Sequence, residues 1–397
     1  MKVINPAGDH VDLMTINVGP SHPATHGTLR IFAALDGETI AACATEIGYL
    51  HRGFEKMIEQ GTYSQVLPYT DRLNYCSAMM NNIGFCKATE KMFGVTVPER
   101  CITLRIILSE LSRIIDHMVC VCTNLVDLGA LTNFWYFFNT REQVYLIWEK
   151  LCGARLTNTV TRIGGMYRDV YQGFEDDVRA VLVKIETAVG EVRGLIEHNK
   201  IFIDRTKDVC AVSAADAISW GWTGPCLRAC GVDRDLRKDE PYYGYETYNF
   251  DTVIGTSGDT FDRIMVRIYE MIESVSITRQ ALDRLKPGPI NSPDARMSLP
   301  SRERVYHDME ALINSFKLVY EGVRPPPGTC YDATEAANGE LGYLIVSDGG
   351  TNPYRVKVRP PCFTQFAAYG DMLTGTMLAD VAASLGSINI IAGELDR

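Results

Sequence analysis

The sequence predicts an α+β fold, a large helical core flanked by N-terminal and C-terminal β segments. Three observations predict it. Residues 12–48 are extended, β-branched runs joined by Gly and Pro. From His51 the apolar spacing turns helical and stays so for over a hundred residues. Beyond residue 322 the strand pattern returns. The expected organisation is one integrated body: 1–50 as a β segment with a histidine loop, 51–322 as the helical core, and 323–397 as a C-terminal β/α segment.

At the N-terminal end, residues 13–18, 28–36 and 38–47 read as strands, with Asp36-Gly37 as the turn of a hairpin. The strongest helix runs from Pro98 to about Leu128. Pro98 suits the first helical position, Glu99 suits the positive end of the dipole, and Gly129 suits the stop. Ile106, Ile107, Leu111, Ile114, Ile115, Met118 and Val119 give it a broad apolar surface, so it is predicted to be central. Further helices are expected at 134–152 and about 174–198, with Gly164-Gly165 as a break between them. The Gly-, Pro- and Tyr-rich stretch 221–257 reads as irregular chain packed on the body. Helices resume at 259–285, with Asp259 as N-cap, and at 302–320. VRPPPG at 323–328 is a stiff linker, followed by strands at 340–350 and 354–361, a helix near 377–385, and a short apolar end.

Bulk properties exclude several classes. The formal net charge of −10, with no long Lys/Arg block, argues against nucleic-acid binding. No stretch approaches the ~18 uninterrupted apolar residues of a spanning helix, and the N-terminus lacks a signal-peptide pattern. Any membrane contact is expected through partners. Twelve cysteines include no C-x-x-C pair, so buried free thiols in a reducing compartment are the expectation, not a zinc or iron–sulfur site.

Three constellations bear on chemistry. GPSHPATHG (19–27) is a rigid loop in which Pro23 prevents His22 and His26 from sharing a helical face. Its histidines either buttress the loop or aim a proton-donating imidazole into a cavity. TDRLNYCSAMM (70–80) opens a helix with Arg72 and Tyr75 three apart; Tyr75 is either half-buried packing or a donor to a carbonyl or phenolate oxygen. The long helix carries Asp116, Cys120, Thr123 and Asp127 on one face. A carboxylate there needs a partner, for which a histidine is suited, unless Asp127 only caps the following turn.

GPSHPATHGTLR, GYLHRGFEKMIE, LPYTDRLNY, ILSELSRI, RIGGMYRD, GYETYNFD, GELGYLIVSDGG and the ending GELDR together resemble the D subunit of NADH-quinone oxidoreductase, the 49-kDa subunit family of respiratory complex I, from about residue 12 to the end. Fusion to a neighbouring subunit, found in some bacterial members, is not expected, since the motifs begin close to Met1. The resemblance implies a fold related to the nickel–iron hydrogenase large subunit. Hydrogenases hold metal with two cysteine pairs; here those positions align with Asn74, Ser77, Ile391 and Glu394, so thiolate ligation fails and no metal is expected. The cavity would instead take a quinone (ubiquinone or menaquinone), between this chain and the subunit bearing a terminal [4Fe-4S] cluster.

By the same resemblance, Tyr75 and His26 donate to the two quinone oxygens and Asp127 pairs with His26. Arg52 lies near the cluster, while His22 and Thr123 line the cavity. The implied activity is that of a peripheral-arm subunit of a proton-translocating enzyme on the cytoplasmic face of the inner (plasma) membrane, active only within the complex. Its partners would be the cluster-bearing subunit, neighbouring peripheral-arm subunits and a membrane-arm subunit at the quinone channel. The alternatives are a membrane-bound hydrogenase-type large subunit and a non-catalytic scaffold subunit.

Overall fold

The structure, a computed structural model, describes residues 2–4, 10–25 and 27–397. Strands β1 (Lys2–Ile4) and β2 (His10–Asp12) form a short antiparallel pair. Strands β3 (Met14–Val18), β4 (Arg30–Asp36) and β5 (Thr39–Glu46) form an antiparallel sheet in that order. The predicted hairpin is present: Asp36 pairs with Thr39 and Gly37 takes a positive φ of 63°. Ile31, Ala33 and Leu35 alternate along β4 and are all buried, the period-two face that the pattern required.

Two short helices follow, α1 (Phe54–Ile58) and α2 (Tyr63–Thr70), the second opened by a Thr62/Gln65 capping box. A single 3₁₀ turn, Tyr75–Ser77, leads into α3 (Ala78–Phe93). Helix α4 (Glu99–Asp127) is the axis of the molecule, ~44 Å long at 1.5 Å per residue. Pro98 caps it from outside instead of occupying its first turn, and Gly129 turns the chain with φ 85°. Helix α5 (Leu131–Cys152) begins three residues before the expected 134 and packs back on α4. The Gly164-Gly165 break is the turn of a small hairpin, β6 (Thr161–Arg162) and β7 (Gly165–Met166).

Helices α6 (Phe174–Ile196), α7 (Lys200–Thr206), α8 (Ala214–Ser219), α9 (Gly224–Ala229) and α10 (Leu236–Asp239) precede α11 (Thr260–Arg284). Asp259 caps α11 as expected, accepting the Asp262 N–H at 2.8 Å. The stretch 221–257 departs from expectation: it holds α9, α10 and a 3₁₀ turn, and it sends Arg228, Asp235, Arg237 and Tyr245 into the interior. The helix expected at 302–320 is two, α12 (Arg302–His307) and α13 (Met309–Tyr320). Asp308 divides them because its carboxylate accepts the Glu310 N–H, and that local bond caps a new helix.

The C-terminal sheet has three antiparallel strands, β8 (Gly328–Ala336), β9 (Gly339–Ser347) and β10 (Arg355–Arg359), with β9 central. Strand β8 was not foreseen; its GTCYDATEA sequence mixes small and charged residues, and its pairing with β9 supplies what its own pattern lacks. Four short helices close the chain: α14 (Pro361–Ala367), α15 (Tyr369–Leu373), α16 (Asp380–Ile388) and α17 (Ala392–Asp396). The apolar end is thus helical. The Asp396 carboxylate accepts the N–H groups of Gly48 and Leu50 at 2.9 and 2.7 Å, joining the last helix to the end of the N-terminal β segment.

Among the described residues, no helix is long and apolar enough to cross a membrane.

Candidate functional site

The polar row on α4 runs from the interior to a pocket. Asp116 and Cys120 are buried, whereas Thr123 and Asp127, further along the helix, line a pocket of about 380 Å³. Its other walls come from Pro23 of the histidine loop, Tyr75 and Cys76 of the 3₁₀ turn, Phe134 of α5, and residues 389–391 between α16 and α17. Separate parts of the chain therefore meet around Tyr75. Larger hollows, of about 920 Å³ beside Tyr242–Tyr248 and about 1020 Å³ beside Trp135 and Glu191, lie elsewhere and include none of these residues.

Tyr75 is half-buried, and burial pushes its phenol up to about 12, helped by the nearby Cys76 and Asp116. At neutral pH it is a proton donor. Among the described residues no hydrogen-bond partner takes up its hydroxyl. Thr123 donates to the Val119 and Cys120 carbonyls at 2.8 and 3.1 Å, which fixes its rotamer.

His26 lies outside the described residues. His22 is exposed and turned to its own loop: its Nδ1 accepts the Ala24 N–H at 3.2 Å, and Pro23, not His22, is the neighbour that reaches the pocket wall. Arg52 donates to the Arg72 carbonyl at 3.1 Å and sits 5.7 Å from the Phe54 ring centre. Burial, then the neighbouring Arg72 charge, lowers its pKa. It stands behind the Tyr75 turn and is not a wall of the pocket.

The four positions expected from the sequence to match hydrogenase thiolates lie close to this pocket. Asn74 and Ser77 bracket Tyr75, and Ile391 lines the same pocket. Glu394 follows on α17, whose Gly393 packs so closely that a Cβ there would lie 2.6 Å from the Arg72 carbonyl oxygen. These four positions hold an amide, a hydroxyl, a branched alkyl side chain and a carboxyl. Burial pushes the Glu394 carboxyl up to about 7. No cluster of three His, Cys, Asp or Glu side chains that would suit a metal occurs among the described residues, and the twelve cysteines are free thiols.

Two features escape a reading of the sequence. One is Asn389, held at φ 61°, whose amide donates to Asp116 at 2.7 Å; an Asn at the end of a short helix was the available signal. The other is a buried ionic lattice along α4. Glu110 meets Arg113, Arg237, Tyr245 and Ser274, while Glu270 meets His117, Arg228 and Arg237. Its members come from α4, α11 and the stretch 221–257, so only the fold brings them together.

What the fold and pocket define is a class: a helical α+β protein with a pocket where a long central helix meets segments from both ends of its chain. The family model for the 49 Kd subunit of respiratory-chain NADH dehydrogenase matches residues 127–397. The chain is 56% identical over 384 residues to the C/D subunit of the NADH-quinone oxidoreductase of Bdellovibrio bacteriovorus, covering 97% of this chain and 69% of that relative. It is 50% identical to a D subunit of the Sorangium cellulosum enzyme and 47% identical to the D subunit of the Geobacter sulfurreducens enzyme, in each case over 97% of this chain and 95% and 99% of the relative. The chain belongs to the 49 Kd subunit family of respiratory-chain NADH dehydrogenase.

Proposed function

We propose that this chain serves, within an NADH-quinone oxidoreductase, as the subunit that holds the quinone headgroup while it is reduced. The observation that carries the reading is the shared wall of Tyr75 and Asp127, a protonated phenol and a carboxylate lining one pocket. Phe134, Val126, Ile390 and Ile391 offer apolar surface to a ring, and Pro23 brings the histidine loop to the rim.

Reduction of a quinone by two electrons puts negative charge on two oxygens, each of which takes a proton to give the quinol. A phenol that stays protonated donates a hydrogen bond to one such oxygen and stabilises its charge, the proton that completes the quinol there coming from water. His26 is the donor to the other, with Asp127 as its partner carboxylate. Thr123 borders the same space, and His22 braces its own loop by accepting the Ala24 N–H. A [4Fe-4S] cluster in a partner subunit would supply the electrons, and the positive charge of Arg52 would favour its reduced state. Membrane contact is made through partners, at the cytoplasmic face.

Replacing Tyr75 by Phe in the assembled complex tests this. Quinone reduction should fall by roughly 100- to 10,000-fold, while NADH oxidation by ferricyanide is unchanged. Wild-type quinone turnover in that variant would remove Tyr75 from the chemistry.

A further inference from the structure

Asp116 is a buried carboxylate next to the pocket that the chemistry above does not use. It is 1% exposed, and among the described residues no Lys, Arg or His forms an ion pair with it. Two amides hold it instead. Asn74 donates to Oδ2 at 2.6 Å and Asn389 donates to Oδ1 at 2.7 Å. Asn74 immediately precedes Tyr75, and Asn389 is itself a wall of the pocket. One carboxylate on α4 thus ties together the segment that carries Tyr75 and the segment 389–391 that shares its pocket.

Neither amide can turn over. The Asn74 Oδ1 accepts the Cys76 N–H at 3.1 Å, capping the turn that carries Tyr75, so its nitrogen must face Asp116. The second hydrogen of the Asn389 amide goes to Asn338 Oδ1 at 2.6 Å. Two fixed donors converge on Asp116, and a carboxylate accepts both where a neutral amide accepts only one. A buried carboxyl whose two oxygens each meet an amide donor is fixed in place by directed bonds, which a pure packing role would not require.

We propose that Asp116 is the positioning residue of the pocket: its two oxygens fix Asn74 and Asn389, and so set where the Tyr75 hydroxyl meets the bound quinone. This rests on the quinone reading of the same pocket.

The test exchanges the partners in the assembled complex. Asp116→Asn leaves one donor facing an NH₂ group, and Asn74→Asp sets two carboxylates against each other. Each single variant should lower kcat for a short-chain quinone by roughly ten- to hundredfold, with a smaller change in KM. The double variant, Asn74→Asp with Asp116→Asn, reverses the hydrogen bond and still gives Asn389 an acceptor, so it should recover to within about threefold of wild type. Asn74→Ser keeps a cap for the Cys76 N–H but drops the bond to Asp116, and should resemble the singles even if those assemble poorly. Ferricyanide reduction scores assembly throughout.

Unchanged kcat in Asn74→Ser, or a double variant that assembles but stays as slow as the singles, overturns the proposal. If Tyr75→Phe turns over quinone normally, the quinone reading itself fails. If Tyr75→Phe is inactive while Asn74→Ser is normal, only the role of Asp116 falls.

Discussion

Glu394 accepts the backbone N–H of Cys362 at 3.0 Å, and that bond ties α17 to the start of α14 in a fully buried place. The bond alone would favour the ionised carboxylate. Burial is the larger effect, and nearby Asp116 adds to it, so the carboxyl holds its proton up to about 7 against an ordinary value of 4.5. The Glu394 carboxyl is therefore protonated in mildly acid solution and titrates near neutrality.

Stability should report this carboxyl. Because the folded pKa is raised, its contribution is fully present below 4.5, is lost progressively as pH rises towards 7, and is flat above that. Glu394→Gln keeps the acceptor for Cys362 and has no proton to lose. Relative to wild type it should gain up to about 3 kcal/mol between pH 5 and 8. Denaturant unfolding at several pH values measures it, and parallel curves for the two proteins would refute the assignment.

Tyr75 should behave in the opposite sense, as a group that stays silent across the working range. With its phenol at about 12, ultraviolet difference spectra of wild type against Tyr75→Phe should show no phenolate band up to about pH 10. A band appearing near neutrality would make Tyr75 a proton carrier instead of a standing donor.

The buried lattice gives a stability prediction without a functional one. Arg113 is wholly buried, pairs with Glu110 at 3.1 Å and donates to the Glu335 carbonyl at 2.7 Å. Its removal leaves Glu110 with Arg237 as the remaining cation, at 3.3 Å. Arg113→Ala should cost about 3–5 kcal/mol, read as loss of assembled complex on heating. Replacing the exposed Arg304, whose partner Asp308 is also near the surface, should change stability by less than about 1 kcal/mol.

How far the site was legible in the sequence follows the range of the interactions. Local spacing places Thr123 and Asp127 on one face, since a helix fixes which of its own residues share a side; Tyr75 lies in the 3₁₀ turn ahead of α3, not on the helix expected there, and its role rests on resemblance. The N-terminal hairpin and the long helix were read for the same reason: Asp36-Gly37 and the Pro98–Gly129 span carry their own turn and cap chemistry. What was missed depends on contacts between distant segments. Strand β8 exists because β9 pairs with it, and Asn389 matters because it reaches Asp116 across 273 residues of chain. The lattice around Glu110 and Glu270 was hidden because the stretch 221–257 looks like surface loop until it is seen filling the groove beside α4. His26 and its relation to Asp127 rest on resemblance.

The closeness of α17 to the Tyr75 turn yields the last prediction. A Cβ on Gly393 would fall 2.6 Å from the Arg72 carbonyl oxygen and 2.8 Å from that of Leu73, both backbone atoms that move only if the whole turn moves. Gly393→Ala should therefore cost about 1–3 kcal/mol by overpacking and push Ile391 and Asn389 away from Tyr75. Quinone turnover should drop while ferricyanide reduction persists in the assembled fraction. Gly190, exposed in the interior of α6, offers the control: nothing lies within 4 Å of a Cβ built there, so Gly190→Ala should gain about 0.5–1 kcal/mol from helix propensity alone. If both substitutions leave quinone turnover at the wild-type rate, the fit between α17 and the Tyr75 turn does not set the geometry of the pocket.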